Sequence, residues 1–350
     1  MKKTFCVLIF CVVAIYTFSQ NPLGGSASLA FINNPFSARL YALGHINQTL
    51  FDNDATLGYT NPFLWNKNMH QQIAFGTSFI PGGVNAGNIA YVHHFPKISA
   101  FGFGFNYIAY GNIPRTDESS NIIGKIQASE YIWYSGTAYH FAKLFAVGGN
   151  IKLFYSQLAE FSSVGMAADI GFSINDTAKL LSFSLTATNV GAQFKPYRNG
   201  NTEIIPFDLR MGFSFGFKGF PIRFHTTMHN LHRWNIRYSN PRENNTGNLF
   251  SSSDAKPSKD IGDEIFRHFI LGAEANIKKI VRLQLAYNHL RRQEHRQLNV
   301  RSIAGFSFGM GIRIKFMDIQ YAFSPYALGR NSSHLTMGID IQKIPRRKKN

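Results

Sequence analysis

The chain has 350 residues, of which 16% are charged, 33 are Phe and 30 are Gly, and its formal net charge is +17. A typical soluble domain carries roughly 25% charged residues, so this composition disfavours an ordinary soluble domain and indicates apolar surface outside a compact core. The positive charge suits anionic partners such as lipopolysaccharide phosphates, phospholipid headgroups or an acidic protein. No basic stripe or RNA-binding motif accompanies the charge, so we expect no nucleic-acid partner.

The first residues have the pattern of a cleavable export signal. Lys2 and Lys3 precede an apolar run from Phe5 to Ile15, and small residues follow before Gln20. A basic segment, an apolar segment and then small residues are typical of secretory signals. We therefore expect cleavage near Gln20.

Both cysteines, Cys6 and Cys11, lie within this signal, so the mature chain is expected to have none. After the signal, no run approaches the ~20 apolar residues that a membrane helix needs. A mature chain that sits in a membrane must then satisfy its backbone as a closed barrel. We expect such a barrel in the outer membrane of a Gram-negative cell.

The stretch from Pro35 to Trp65 differs from everything after it and is predicted to form a plug. Leu40, Leu43 and Ile46 follow a helical apolar spacing, and an acidic turn from Asp52 to Asp54 comes next. This turn resembles the start of a calcium loop, but the Gly and the distal Glu of an EF-hand are absent. Capping of the turn by Asx side chains is the simpler interpretation. The predicted parts of the chain are a signal at 1–19, a plug with some helix at 20–70, a barrel at 71–342 and a basic tail at 343–350.

Strand periodicity begins near residue 71. From Phe101 to Ala109, apolar residues alternate with Gly and Asn, and similar alternation returns near Phe213 and Phe306. A period of two indicates strands. The second face is mainly Gly, Ser, Ala, Asn and Gln, which favours an inverted transmembrane barrel over a soluble β-sandwich. The predicted fold is all-β, with about fourteen antiparallel strands near 71–80, 87–96, 99–110, 125–140, 142–157, 164–174, 180–190, 207–217, 222–229, 265–276, 279–290, 303–314, 316–325 and 334–342.

The connections between these strands are predicted to alternate strictly between short and long. The long ones, at 111–124, 191–206, 230–264 and 291–302, are assigned to the cell exterior, as in bacterial outer-membrane barrels. Each short turn carries a lysine, which is expected to reach the headgroups of the inner leaflet.

No motif of a known catalytic or metal centre is present. His225, His229 and His232 invite a zinc interpretation, but on a strand only the first two share a face, and no Cys or acidic partner lies close by in the sequence. The chain also lacks the GxSxG, CxxC and HExxH motifs. We expect neither an enzyme nor a cofactor.

Short motifs in the plug carry a resemblance to known barrels, through Ser37, Arg39, Gly44, Asp52, Asp54, Asn61 and Pro62. Together with the strand from Met317 to Pro325 and the strand count, they resemble the outer-membrane barrels related to the long-chain fatty-acid transporter. More closely, they resemble the PorQ-type barrels of the type IX secretion system. Two positions depart from the pattern: His45 stands where a second Gly is expected, and Phe63 where Ala is common.

The resemblance implies an accessory binding role. PorQ-type barrels anchor a surface assembly that contains a sortase, a PorV-like barrel and a PorZ-like surface protein. On this basis the outer loops are expected to dock partners through Arg115, Arg198, Arg237 and Arg242, which pair with acidic or phosphorylated surfaces.

Two further interpretations stay open. The first is a passive transporter of hydrophobic small molecules such as fatty acids, in which Gly148 and Gly149 supply a bulge for a lateral opening. The second is a purely structural barrel that binds lipopolysaccharide through its positive charge.

Overall fold

The computed structural model describes residues 28–237, 261–295, 303–327 and 330–345. Fourteen antiparallel strands close into one barrel, and each barrel strand pairs with the barrel strands that precede and follow it in the chain. The first strand, Gln72–Ile80, and the last, Arg330–Asp340, close the ring through eight paired residues on each strand. The predicted fourteen-stranded antiparallel barrel is confirmed.

The fourteen barrel strands and a separate two-stranded hairpin, β4 and β5, account for most of the described residues. Their bounds are β1 Gln72–Ile80, β2 Val84–His94, β3 Ala100–Ala109, β4 Ile113–Thr116, β5 Ile122–Ile126, β6 Ala128–Phe141, β7 Phe145–Leu158, β8 Phe161–Asp176, β9 Leu181–Lys195, β10 Asp208–Gly216, β11 Ile222–Met228, β12 Phe269–Ile277, β13 Val281–Asn288, β14 Phe306–Ile314, β15 Met317–Ala327 and β16 Arg330–Asp340. The residues that the structure describes form three short α-helices, α1 Ala38–Ala42, α2 Ile261–Arg267 and α3 His289–Glu294. No helix among these residues is long and apolar enough to cross a bilayer.

The barrel is inverted, as the alternation predicts. On β3, Phe103 is exposed on the outer face, while Gly102 and Gly104 face the lumen. The same holds for Phe213 on β10 and Phe308 on β14, which are both exposed. Large apolar side chains therefore form the outer surface, as in membrane barrels, and small ones line the inside.

The two ends of the barrel differ. At the end we call the short-turn end, successive strands are joined by tight turns of two to five residues, and every one of these turns carries an exposed lysine. In the β6–β7 turn both Ala142 and Lys143 have positive φ, as a tight hairpin requires. We call the opposite end the long-loop end.

The expected strict alternation of loop lengths is wrong. Residues 81–83 and 159–160 are tight turns at the long-loop end. In both cases the flanking strands pair without interruption up to the turn, for example Leu158 with Phe161, which leaves no residues for a loop. The 191–206 loop is also shorter than predicted, because β9 continues to Lys195.

The plug fills the lumen along its whole length. Ser28 lies at the long-loop end, where its hydroxyl donates to the Glu203 carboxylate at 2.6 Å, and Met69 is buried at the other end, just before β1. Helix α1 contacts β13 to β16, and the remaining turns are 3₁₀ in geometry. These turns are Ala30–Asn33, Ala55–Leu57, Pro62–Leu64 and Lys67–Met69, and a fifth, Ile341–Lys343, follows β16.

The wall is irregular between β8 and β9 and between β15 and β16. The register shifts at Val164/Gly165 and at Ala168/Ile170 on β8, and at Pro325/Ala327 on β15. The proposed bulge at Gly148 and Gly149 is wrong, because β7 pairs continuously with both neighbours there. These glycines have another role, described below.

Candidate functional site

The lumen has two chemically different halves, divided between the early and the late strands. Against β2, β3, β6 and β7, the plug packs on the apolar Val92, Ile108, Ile132 and Phe154, and fewer polar side chains, such as Asn150 and Lys152, are buried there. Against β9 to β16 the buried wall residues are mostly polar or charged, among them Arg210, His225, Glu274, Arg282, Gln320 and His334. We call these the apolar half and the polar half.

Arg39 of helix α1 is the centre of the polar half. Its side chain is 1% exposed, and it donates two hydrogen bonds to the carboxylate of Glu274 on β12, at 2.8 and 2.6 Å. A third nitrogen lies 2.5 Å from the Asp52 carboxylate. Bidentate pairing of this kind is among the strongest polar contacts in proteins. Arg39 thus joins two segments of the plug to the wall.

The ion pairs continue from Asp52 toward the short-turn end. Arg282 on β13 lies 3.8 Å from Asp52 and forms a close ion pair with Asp318 on β15. Arg313 pairs with the other oxygen of Asp318 at 2.7 Å. Alternating charges from the plug and three strands therefore neutralise one another inside the barrel, which a low-dielectric lumen requires.

The acidic turn also shapes the plug itself. Asp54 accepts hydrogen bonds from the Thr56 backbone at 3.0 Å and from its hydroxyl at 2.7 Å, and so caps the turn as expected. The Thr56 hydroxyl is also 2.9 Å from that of Ser37. Gln320 on β15 donates to the second Asp54 oxygen at 3.2 Å. Ser37, Arg39, Asp52 and Asp54 therefore belong to one connected cluster.

The other three residues of the resemblance lie outside this cluster. Gly44 has φ +86°, and its carbonyl accepts from Asn288 at 3.0 Å. The Asn61 side chain donates to the Asn47 carbonyl at 3.0 Å within the plug. Pro62 opens the 3₁₀ turn that crosses β7 and β8. Each of these residues fixes the path of the plug backbone.

In the apolar half, the plug is seated in a recess formed by glycines. A Cβ added at Gly102 or Gly136 would collide with the Trp65 side chain, and one at Gly148 or Gly171 with Pro62 or Phe63. We call these four glycines the glycine recess. Glycine allows the bulky plug residues to approach the wall backbone.

One hydrogen bond accompanies this packing. The Trp65 indole donates to Asn150 on β7 at 2.8 Å, and the Asn150 amide donates to the Gly58 carbonyl at 2.8 Å. Asn150 thus links two points of the plug to the wall. The rest of the contact between Trp65 and the wall is van der Waals packing.

A buried cation lies beside the register shift of β8 and β9. Lys152 is 2.7 Å from Asp169, donates to Asn189 at 3.0 Å, and lies 4.4 Å from the centre of the Tyr59 ring. Asp169 also accepts from the Asn189 backbone at 2.9 Å, where Asn189 has positive φ. The bulge thus turns a polar backbone group toward a lumenal charge, as bulges often do.

A cavity of about 520 Å³ opens at the short-turn end between the plug and β3, β6, β7 and β8. Phe51 and Asp52 of the plug are half-buried at its inner wall, and Phe63 and Trp65 lie fully buried behind them. Polar and basic groups surround it farther out, including Lys67, His94, His140 and Lys143. This volume suits a small organic molecule.

The three histidines do not converge. His225 contacts the Thr49 hydroxyl at 2.8 Å, His229 accepts from the Asn230 amide at 2.9 Å, and His232 packs edge-on against Phe207. In the described part of the chain, no group of three or more His, Cys, Asp or Glu side chains is placed to hold a metal ion.

The four arginines proposed for docking have different surroundings. Arg115 is exposed on β4, and Arg198 is exposed with its guanidinium 5.0 Å from the centre of the Phe161 ring. Arg237 pairs with Asp263 at 3.0 Å and with Glu264 at 3.5 Å, so its charge is engaged within the chain. Arg242 lies outside the described residues, as do the predicted export signal at 1–19 and most of the predicted basic tail at 343–350.

Several charged residues of the lumen were not predicted from the sequence, notably Glu274, Arg282, Lys152 and Asp169. A signal for them exists, because a charged residue within an otherwise lipid-facing strand must point into the lumen. Lys152 in the segment IKLFY and Arg282 in VRLQL satisfy this criterion. Which charges meet depends on strand register, which the sequence alone does not fix.

No protein-family model matches the chain, and no curated protein matches its sequence. Among solved structures it is similar to the toluene transporter TodX of P. putida, with 11% identity and a TM-score of 0.48 over 87% of this chain and 97% of that one. It is also similar to the CymD monoaromatic hydrocarbon channel, with 11% identity and a TM-score of 0.48 over 89% and 97%. It is similar as well to a Pseudomonas aeruginosa FadL homologue, with 9% identity and a TM-score of 0.47 over 87% of this chain and 98% of that one. Since these scores lie below 0.5, the fold assignment rests on the strand pairing described above.

Proposed function

We propose that the chain is an outer-membrane channel for hydrophobic small molecules. The observation that carries the proposal is the cavity at the short-turn end, where Phe51, Leu144 and Phe145 present accessible apolar surface below the apolar half of the lumen. An apolar solute gains free energy by leaving water for such a surface, at about 25 cal/mol per Å² of buried area.

Apolar side chains of this wall occur near both of its ends. Val84 and Ile108 lie near the long-loop end and Ala138 lies next to the cavity, and all three pack in one cluster with the plug. At middle height the buried wall side chains Asn150 and Lys152 are polar, so a solute that follows this wall meets apolar groups at its two ends and polar groups between them. The plug must move away from the wall to let it pass.

The unequal attachment of the plug supports such movement. On the polar side, Arg39 and Asp52 hold the plug through several ion pairs. On the apolar side, Asn150 supplies the hydrogen bonds next to Trp65, and packing on the glycine recess supplies the remainder. Displacement from the glycine recess therefore costs less than displacement from Arg39, because it leaves no charge unpaired.

The test is to fill the cavity without touching the outside of the barrel. Ala146 lines the cavity, and its neighbour Val147 on the same strand faces outward. Ala146→Trp is expected to reduce uptake of labelled toluene or a labelled long-chain fatty acid into proteoliposomes at least tenfold. Val147→Trp adds the same ring to the other face and is expected to leave uptake unchanged.

Folding of both variants is checked on a denaturing gel, because the electrophoretic mobility of an intact barrel changes when the sample is heated. Uptake by Ala146→Trp at the level of the unmodified chain would contradict the proposal. So would equal uptake by liposomes that lack the protein.

A second candidate function is anchoring of a surface assembly, as the resemblance to PorQ-type barrels implies. It is favoured by the exposure of Arg115 and Arg198 at the long-loop end. The partners would be a sortase, a PorV-like barrel and a PorZ-like surface protein, with lipopolysaccharide around the barrel. None of the three similar structures named above is described as a secretion-system subunit.

This candidate is tested by co-purification of those named partners from a type IX secretion host. Arg115→Glu and Arg198→Glu together are expected to release them, whereas Lys97→Glu in the exposed β2–β3 turn at the short-turn end is not. Co-purification that survives the Arg115/Arg198 variant would remove the two arginines from the interface.

A further inference from the structure

Helix α2 at the long-loop end turns its apolar side outward. With ~3.6 residues per turn, its side chains separate into two sides. The charged side consists of Asp263, Glu264 and Arg267. The apolar side consists of Ile261, Ile265 and Phe266, which are 68%, 39% and 57% exposed. A helix on the surface of a soluble protein packs its apolar side against the core, so α2 has the opposite orientation.

The charged side of α2 is occupied by contacts within the chain. Asp263 accepts a hydrogen bond from Arg237 at 3.0 Å and lies 3.0 Å from the ring of His289 on α3. Glu264 accepts from the backbone N–H of Ile236 at 3.0 Å. These contacts hold the charged side against the protein, and they therefore fix the apolar side in its outward position.

The apolar side of α2 is continuous with the outer surface of the barrel. Phe266 packs against His289 with 6.1 Å between ring centres, and the Tyr287 hydroxyl lies 2.9 Å from His289 Nδ1. Tyr287 faces outward on β13, because its neighbour Asn288 is buried and donates to the plug. Its ring lies 4.9 Å from that of Phe306, which is exposed on β14. A row of rings thus leads from the lipid-facing wall to α2.

Two features favour lipid over a soluble protein as the material that covers α2. The first is that α2 has the same inverted arrangement as the barrel, with polar groups inside and apolar groups outside, which a hydrocarbon surrounding stabilises. The second is Trp234, which is 60% exposed and stacks on His268, the residue that follows α2, at 5.6 Å. Tryptophan is enriched at the boundary between acyl chains and headgroups. Both features are expected of a segment that lies at this boundary.

We propose that α2 is an interfacial anchor whose apolar side lies in the membrane leaflet at the long-loop end, beside β12, β13 and β14. Lipid acyl chains contact Ile261, Ile265 and Phe266, while the charged side stays against the protein. Since Asp263 joins α2 to α3, the anchor fixes the height of both helices relative to the membrane. The inference needs a barrel in a membrane but not the channel function, so the failure of either proposal leaves the other standing.

The test is spin-label accessibility in phosphatidylcholine vesicles, with the full chain in which Cys6 and Cys11 are replaced by Ser. A nitroxide attached to Phe266→Cys, or separately to Ile261→Cys, reports collisions with oxygen, which concentrates in the bilayer, and with a nickel chelate, which stays in water. The ratio of the oxygen to the nickel collision rate is expected to be at least about fivefold higher at each position than at Glu118→Cys.

Two positions calibrate this measurement. Glu118 is exposed in the turn between β4 and β5 at the same end of the barrel, so it represents a site in water. Leu285 is 46% exposed on the lipid-facing side of β13, so Leu285→Cys represents a site in the bilayer. Each labelled chain is first checked for the change of gel mobility on heating, so that unfolded protein does not enter the comparison.

Two results would overturn the proposal. A collision ratio at Phe266→Cys and Ile261→Cys equal to that at Glu118→Cys would show that the apolar side of α2 meets water. Low collision rates with both oxygen and nickel would show that protein, and not lipid, covers this side of the helix.

Discussion

At the scale of single residues, the polar half depends on Arg39. Its removal leaves the Asp52 and Glu274 carboxylates without their closest cation. Breaking a buried ion pair by removing one partner costs about 3–5 kcal/mol. We expect Arg39→Met to lower the free energy of unfolding by about this amount, measured by thermal unfolding in detergent.

A double-mutant cycle separates the ion pair from loss of packing. Glu274→Met alone also leaves a buried charge, whereas Arg39→Met/Glu274→Met removes both members of the bidentate pair. The double variant is expected to be more stable than the sum of the single effects predicts. Additive effects would show that Arg39 contributes through packing and not through its charge.

A second prediction at the scale of single residues concerns the glycine recess. In a Trp133→Phe/Trp234→Phe background, Trp65 is the remaining tryptophan and reports on the seat of the plug. Gly102→Leu would collide with its ring and is expected to shift its emission to longer wavelength, at a cost of about 1–3 kcal/mol. Gly124→Leu has open space and serves as the control. Unchanged emission from Gly102→Leu would place Trp65 elsewhere.

Backbone conformation and local packing explain the two plug positions, His45 and Phe63, that depart from the motifs of the resemblance. His45 has φ +82°, a conformation that favours glycine, which accounts for the Gly expected at that position. Phe63 fits because Gly148 and Gly171 leave room for its ring. The preference for Gly at position 45 could be anticipated from backbone conformation. The fit of Phe63 depends on the glycines of the facing strands, so it could not be predicted from the plug sequence alone.

At the scale of elements, the carboxylate of Asp263 makes several of the polar contacts of helix α2. Asp263 accepts from Arg267 at 2.8 Å and from Arg237 at 3.0 Å, and lies 3.0 Å from His289 of α3. Partial burial alone would raise the pKa of Asp263, but these hydrogen bonds and the arginine charges outweigh it and hold the pKa below its ordinary value. Asp263 therefore joins two helices of the long-loop end.

The sign of the pH effect follows from this shift. A depressed carboxyl pKa stabilises the folded loops above its ordinary value near 4, and the contribution is lost as the pH falls through the lower folded value. We expect hydrogen exchange of α2 amides, corrected for intrinsic rate, to accelerate as the pH falls below about 4. Asp263→Asn is expected to exchange fast at pH 7 already, and the exposed Glu118→Gln to change nothing.

Elements also show where prediction from sequence works and where it stops. Alternation over β3, β10 and β14 was sufficient to predict inverted membrane strands, because period two determines which face meets lipid. The strict alternation of loop lengths failed at 81–83 and 159–160, where turn length depends on how far the paired strands extend. The β4–β5 hairpin falls largely within residues 111–124, a polar stretch that was predicted to be a loop.

At the scale of the whole molecule, a filled lumen excludes a standing aqueous pore. The purified chain is expected to show no steady ion conductance in planar bilayers. Glu274→Arg would set a second guanidinium against Arg39, drive the plug from the polar half and open the lumen. Glu274→Gln keeps the shape without the repulsion and is expected to stay closed. Steady conductance from the unmodified chain would show that the plug does not fill the lumen in a membrane.

The path of the plug also bears on the closing seam of the barrel. The plug enters the sequence just before β1, and it lies inside a ring that closes only when β16 pairs with β1. The backbone N–H of Ala38 donates to Thr336 on β16 at 2.9 Å, so the plug contacts the closing seam from inside the lumen. The segment that precedes β1 and the strand that closes the ring thus hold each other in place, and release of the plug and opening of the seam are expected to be coupled.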